Sequence, residues 1–386
     1  MEGCPMNFSL LQNVRIVEGP GCVAKVGEIL KEAGYSKAFL VFDCGVKAAG
    51  IVDKVVAALD SAGVAHVLFD RVLPDPPADI VDEGAEHCRR EGCDCVVGLG
   101  GGSSIDTAKG INLLRFNDGN ILSYASPDTP MKRSPGLLSI PTTAGTGSEL
   151  SNGLIISNPG EGVKVPILAV NAMSEYAVID PELTLGMPPG LTIATGLDVF
   201  SHACEGYTSI LANAMTDMLC EKIMENVAAY LPAAHRDGSS LEARERMLVS
   251  ASLGGWMLAQ ASAHVGHSLA HVVGGRLHIP HGLACAYSLP VTLELIAPAV
   301  PSKVRKVGEI LGAQFSGSET LEEIGRKAAD AHRHFTFEVL GVKKLGGHDV
   351  DLDMLAGEVE HEVLAGLSPV KVTHENALEM LKRMFA

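Results

Sequence analysis

The chain has 386 residues, 47% of them apolar and 20% charged, with a formal net charge of −16. That length and apolar share fit a globular protein of two domains with ample core. The negative balance argues against nucleic acid or an anionic membrane surface as a partner, because a polyanion would be repelled. No window holds eighteen uninterrupted apolar residues, and the N-terminal MEGCPMNFSLLQ lacks a basic stretch followed by an apolar core. Neither a membrane span nor a secretory signal is therefore expected. The nine cysteines are scattered, with a tight Cys93–Cys95 pair and no CxxC. They read as small buried hydrophobes in a reducing compartment, so the expected location is cytoplasmic.

Residues 38–42 (AFLVF) form a short apolar run, as a buried parallel strand should. Asp43 follows it directly. Helical periodicity covers 48–62, a second strand 65–69, and the stiff segment LPDPP comes next. A helix is expected over 79–91 and a third strand over 95–99. Gly100, Gly101, Gly102, Ser103 and Ser104 follow that strand, and Ile105, Asp106 and Thr107 open a helix over 104–114. Glycines there let backbone N–H groups approach a phosphate without a Cβ in the way, and a helix N-terminus adds partial positive charge. The spacing is neither GxGxxG nor Walker A. The segment reads as a phosphate cradle or as a structural glycine turn.

A strand over 136–140 ends in a second loop, PTTAGTGSE (141–149), crowded with Thr, Gly and Ser. Strands alternating with helices imply a parallel α/β sheet. Loops at the carboxyl ends of such strands face the crevice where ligands bind. Asp43 at that level can accept hydrogen bonds from a ribose diol, which favours NAD over NADP. The same position also suits a helix N-cap.

The run MPPG (187–190) breaks regular structure, which sets expected domains of 1–187 and 188–386. Beyond it, apolar periodicity covers 194–209, 215–230, 241–260, 266–273 and 302–311, and β-branched runs are scarce, as in an all-helical domain. Asp198, His202, His267 and His281 form a four-ligand set suited to a divalent first-row metal. Asp198 and His202 are four apart and share a helix face, as do His267 and His271. Only four donors are needed, so one of the five candidates is surplus. His264 and His278 read as packed core histidines.

The motifs GGGSSID, PTTAGTGSE, GLDVFSHACEGY, GHSLAHVVGG and IPHGLACA, in this order, resemble those of the iron-containing (group III) alcohol dehydrogenase family along nearly the whole chain. The resemblance implies an α/β N-terminal dinucleotide-binding domain plus an all-α C-terminal domain in a dehydroquinate-synthase-like architecture, with the site in the cleft between them. It implies Asp198, His202, His267 and His281 as metal ligands, and it sets His271 near the nicotinamide as a proton relay. Gly100 to Ser104 match the pyrophosphate loop, with Asp106 at the same helix start. Thr142, Thr143, Thr146, Gly147 and Ser148 match the second cofactor loop. Asp43 matches the acid that reads the adenine ribose in NAD-preferring members.

The implied activity is hydride transfer between NAD and a small primary alcohol, diol or aldehyde, by a homodimer or larger homo-oligomer. Fe²⁺ follows from the resemblance, and three nitrogens and an oxygen suit Zn²⁺ as well. The alternatives on the same scaffold are a hydroxyacid–oxoacid transhydrogenase and a dehydroquinate-synthase-like lyase. The lyase needs a basic clamp for a phosphorylated acid, and Arg276 is the nearest basic residue in sequence to the ligands. The chain departs from the family at Asp75–Pro76–Pro77, where Asn-Pro-Thr is common. It also departs at SAHVG before His267 and at Cys285, where Asn is usual.

Overall fold

A computed structural model describes residues 8–126, 128–160, 163–347 and 350–385. Its eight strands are β1 (Arg15–Glu18), β2 (Lys37–Asp43), β3 (Ala65–Val72), β4 (Cys95–Gly100), β5 (Leu137–Pro141), β6 (Gly153–Asn158), β7 (Val163–Leu168) and β8 (Tyr176–Ile179). Six form one sheet in the order β1-β8-β5-β4-β2-β3, with every neighbouring pair parallel. β6 and β7 pair separately as an antiparallel hairpin.

Burial on both faces explains the apolar runs. Phe39 and Val41 of β2 pack with Ala85 and Ile111 of the helices on one side. Ala38, Leu40 and Phe42 pack with Val26, Leu30 and Leu59 on the other. This alternation is the two-residue period of a strand. Every residue of β4 is buried. In register, Phe42 lies opposite Leu99, and Gly100 opposite Pro141. Asp43, the glycine run and the Thr-rich loop therefore begin side by side. The chain order reverses between β2 and β4, which makes this edge the topological switch point.

The helix expected over 48–62 is two, Cys44–Ala48 and Ile51–Ala62, because Gly50 adopts a left-handed φ of 72° between them. β1, β8 and the β6–β7 hairpin were not visible in the periodicity: β1 and β8 have four residues each.

Two compact units emerge. One comprises Leu11–Met187 and Ser239–Trp256, and the other Pro188–Gly238 and the chain from Met257 onward. Helix Leu241–Ala261 therefore contributes to both. The second unit contains no strand among the described residues. Its helices Pro189–Thr208, Val265–Leu277 and His281–Ile296 carry the histidines. The last of these hid from periodicity because it is apolar nearly all round and holds Pro290.

Candidate metal centre and cofactor loops

Helix Pro189–Thr208 presents Asp198 and His202 one turn apart, both buried. Helix Val265–Leu277 presents His267 and, a turn later, His271. His281 is the first residue of its helix. Three imidazoles converge on one oxygen: Asp198 Oδ1 lies 3.4 Å from His202 Nε2, 3.8 Å from His267 Nε2 and 3.5 Å from His281 Nε2. That oxygen is buried and has no hydrogen-bond partner. A buried carboxylate without a donor is costly, and a divalent cation among these nitrogens would satisfy it.

Close helix contact makes the convergence possible. A Cβ on Gly282 would sit 1.8 Å from Ala194 O and 3.0 Å from Asp198 Cβ. A Cβ on Gly266 would meet the Glu205 carboxylate at 2.7 Å. Each histidine that follows or precedes these glycines depends on that approach.

Glu205, buried one turn beyond His202, accepts from His267 Nδ1 at 2.6 Å and from the backbone N–H groups of His264 and His267 at 2.9 and 3.1 Å. Its grip leaves His267 Nε2 directed at Asp198, the second-layer contact that metal-binding histidines need. Burial opposes ionisation of Glu205, but the charge and hydrogen bond of His267 outweigh it and draw the pKa down to about 2. Burial likewise acts to raise Asp198, and its three histidines outweigh it, so the net shift is downward. Burial pushes His202 down to about 4, toward the neutral form a ligand requires.

His271 is more exposed. Its Nδ1 lies 3.1 Å from Glu362 Oε1, and Glu362 Oε2 accepts from Ser268 Oγ at 2.6 Å. The His271 and His281 rings stack at 5.4 Å. His264 is a core residue bonded to Thr208 Oγ1, and His278 ends its helix in the left-handed region. Arg276 pairs with Glu358.

In the sheet unit, Asp43 caps helix Cys44–Ala48. Its Oδ1 accepts from Gly45 N (2.7 Å) and Val46 N (3.0 Å), and its Oδ2 from Ser104 Oγ (3.0 Å). Gly100 has a φ of 147°, and Thr142 N donates to its carbonyl. Cβ atoms at Gly101 and Gly102 would reach the side chains of Thr143 and Thr146 at 3.1 and 2.8 Å. The two loops thus lie against each other. Asp106 is buried and accepts from Ser148 Oγ and from Ile155 N, which ties the helix start to the second loop. Gly147, at φ 62°, approaches the backbone of Gly255. Ser103 O accepts from Thr107 Oγ1.

Sequence reasoning passed over four residues. Glu205 stands three residues after His202, within a motif already singled out, so helical spacing could have found it. Glu362 is 91 residues from His271 in the chain and carries no local signal. Lys109 is buried among Ser151 and Gly153 oxygens, and burial draws its amine down to about 8. Cys285 was noted only as a departure, yet its sulfur lies with Asp198, His267 and His281 in one group of potential ligand atoms.

Residues 13–181 match the family model "Iron-containing alcohol dehydrogenase", and residues 192–385 match "Fe-containing alcohol dehydrogenase family, C-terminal". The chain is 34% identical to 1,3-propanediol dehydrogenase of Citrobacter freundii, covering 97% of this chain and 98% of that one. It is 32% identical to NAD-dependent methanol dehydrogenase of Bacillus methanolicus, covering 95% and 97%. The fold superposes on sulfoacetaldehyde reductase from Bifidobacterium kashiwanohense, solved in complex with NAD⁺. That match has a TM-score of 0.88, 26% identity, and coverage of 98% and 99%.

Proposed function

The chain belongs to the iron-containing alcohol dehydrogenase family, and from that premise we propose that it moves hydride between NAD and a small primary alcohol, diol or aldehyde. Asp198, His202, His267 and His281 would hold the divalent ion. One observation carries this reading: the buried, unpartnered Asp198 Oδ1 faced by three imidazole nitrogens. Iron rests on the family, and the donors suit zinc equally.

When bound, the ion would supply Lewis acidity to the substrate oxygen, offsetting the negative charge left there when the alcohol gives up its proton ahead of hydride departure from the adjacent carbon. Glu205 fixes the tautomer of His267 with its proton on Nδ1. Glu362 does the same for His271, leaving His271 Nε2 free to pass a proton between the site and water. The buried sides of Asp198 and His267 keep water from the inner face of the site.

NAD is the proposed cofactor. Its support is Asp43 beside the glycine run, since an acid there repels a 2′-phosphate, together with the NAD named for two relatives. The pyrophosphate would rest on the N–H groups of Gly101 to Ser104, flanked by Thr142, Thr143, Thr146, Gly147 and Ser148. We also propose a homodimer or larger assembly. It is supported by the exposed Ile155, Val163, Leu168 and Val170 around the hairpin, and light scattering tests it. A reducing cytoplasm fits the absence of disulfides among the described cysteines.

The test is to strip the metal, reload with Fe²⁺ or Zn²⁺ without oxygen, and follow NADH absorbance with a panel of short alcohols, diols and aldehydes. Turnover is expected only in the loaded protein. Equal turnover in the stripped protein overturns the reading.

A further inference from the structure

Cys285 stands one helical turn after His281 and is fully buried. Its Sγ lies 3.6 Å from His281 Nε2 and 3.7 Å from His267 Nε2. Those two nitrogens lie 3.5 and 3.8 Å from Asp198 Oδ1, and all four donor atoms fall within 4.8 Å of one another. A tetrahedral ion, bound at about 2.0–2.2 Å by nitrogen and oxygen and about 2.3 Å by sulfur, sets nitrogen and sulfur about 3.6 Å apart and nitrogen and oxygen about 3.4 Å apart. The observed separations are close to those edges. His202 Nε2 reaches the same Asp198 oxygen at 3.4 Å but is not among the four mutually close atoms. Packing alone accounts for a buried cysteine. Thiol hydrogen bonds account for its contacts with the two imidazole nitrogens, but neither they nor packing account for the buried carboxylate oxygen beside the sulfur that lacks a hydrogen-bond partner.

Resting on the metal reading above, we propose that Cys285 is itself a metal ligand, and that its thiolate biases this site toward Zn²⁺ over Fe²⁺. The thiol releases its proton as the sulfur–metal bond forms. Soft sulfur donors favour zinc, whereas an all-nitrogen-and-oxygen set discriminates less. In this tetrahedral set Cys285 takes the place of His202, which stays against Asp198 Oδ1, and a substrate oxygen enters as a fifth donor past His281, whose side chain is 39% exposed.

Cobalt substitution reads this directly. Protein loaded with Co²⁺ should show a near-ultraviolet thiolate-to-cobalt band. Cys285→Ser should still bind one Co²⁺ and lose that band. In competition, the Zn²⁺:Fe²⁺ preference of Cys285→Ser should fall by about tenfold or more. Stoichiometric cobalt in the wild type without the band overturns the proposal and leaves the metal site standing. Failure of both the wild type and His267→Ala to take up cobalt overturns the metal reading and this proposal together. Should Cys285→Ser fail to fold, zinc X-ray absorption on the wild type decides. A sulfur neighbour at about 2.3 Å supports the ligand, and a shell of nitrogen and oxygen alone overturns it.

Discussion

In the loops after β4 and β5, the polar side chains that shape the backbone already have partners. Asp43 is filled by two backbone N–H groups and the Ser104 hydroxyl, and Asp106 by Ser148 and Ile155 N. In the helical unit the reverse holds: Asp198 Oδ1, on which three imidazole nitrogens converge, is buried without a partner. A site that binds through backbone N–H groups can be finished in advance, because its side chains hold the loop and the loop holds the ligand. A site that binds through side chains must leave those atoms unmet until the ligand arrives. On the proposed reading, the contrast separates a pre-formed anion cradle from a cluster that a cation would complete.

The largest expected effect falls on the unfinished site. His267→Ala removes a donor and leaves Glu205 buried without its imidazole. Metal content measured by mass spectrometry should collapse, and turnover should drop by about 10³-fold or more. The same variant should lose the metal-induced rise in melting temperature, which at a metal concentration of about 100 Kd reflects about 2.7 kcal/mol in the wild type. A rise that persists would show that the cation sits elsewhere.

The finished site should break through its backbone. At Gly147 a Cβ would lie 2.3 Å from Ala251 O and 2.5 Å from Gly255 N, at a φ of 62°. Gly147→Ala should cost about 3 kcal/mol in urea unfolding, from steric overlap and a left-handed backbone combined. A cost below about 1 kcal/mol would mean that the helix over 241–261 does not hold this loop.

Glu205→Gln probes the support of the metal cluster without touching a ligand. The amide keeps the shape but holds His267 less firmly, so metal affinity should fall by about 10–100-fold while the fold persists. Unchanged affinity in a metal titration would reduce Glu205 to a core residue.

Much of this contrast was legible in the sequence. The glycine run and the Thr-rich loop were found from their places after strands, and Asp198 and His202 from helix spacing; spacing left His271 open beside His267 and His281, and the family resemblance is what set it apart from the ligands. The structure brings each set together. Asp43 illustrates the limit of such reading: position alone fits either a ribose contact or a helix cap, and the structure shows the cap, with its second oxygen on Ser104. Glu362 was beyond reach for a different reason: its meaning lies in a contact with His271, distant in sequence, and no local period encodes which side chains meet there. Cys285 stands four residues after His281 on the same helix face, so that contact was within reach of spacing. β1 and β8 escaped because four residues are too few to show alternation.

Unmet buried atoms also predict an acid-sensitive helical unit. His332 packs against Phe200, its Nε2 has no partner, and burial holds its pKa down to about 3. Above pH about 6.5 the ring is neutral in both folded and unfolded chains and adds no pH dependence. As pH falls below about 6.5, the unfolded chain takes up a proton that the folded one refuses until about 3, so stability is lost across that window. Melting temperature followed from pH 7 down to about 4 should fall more steeply for the wild type than for His332→Leu. Parallel slopes would show that other groups govern acid lability.

The smallest effect returns to the cradle and tests whether it is truly complete without its ligand. Ser104→Ala removes the donor to Asp43 Oδ2 and nothing from the backbone. If the loop binds phosphate through N–H groups alone, the variant should lose about 1 kcal/mol of stability, and its KM for NAD should rise less than about tenfold. The opposite pattern, unchanged stability with a KM raised well beyond tenfold, would make the hydroxyl a cofactor contact. Ser104 would then be a side chain shared between holding the loop and holding the ligand, and the cradle would differ from the metal cluster in degree only.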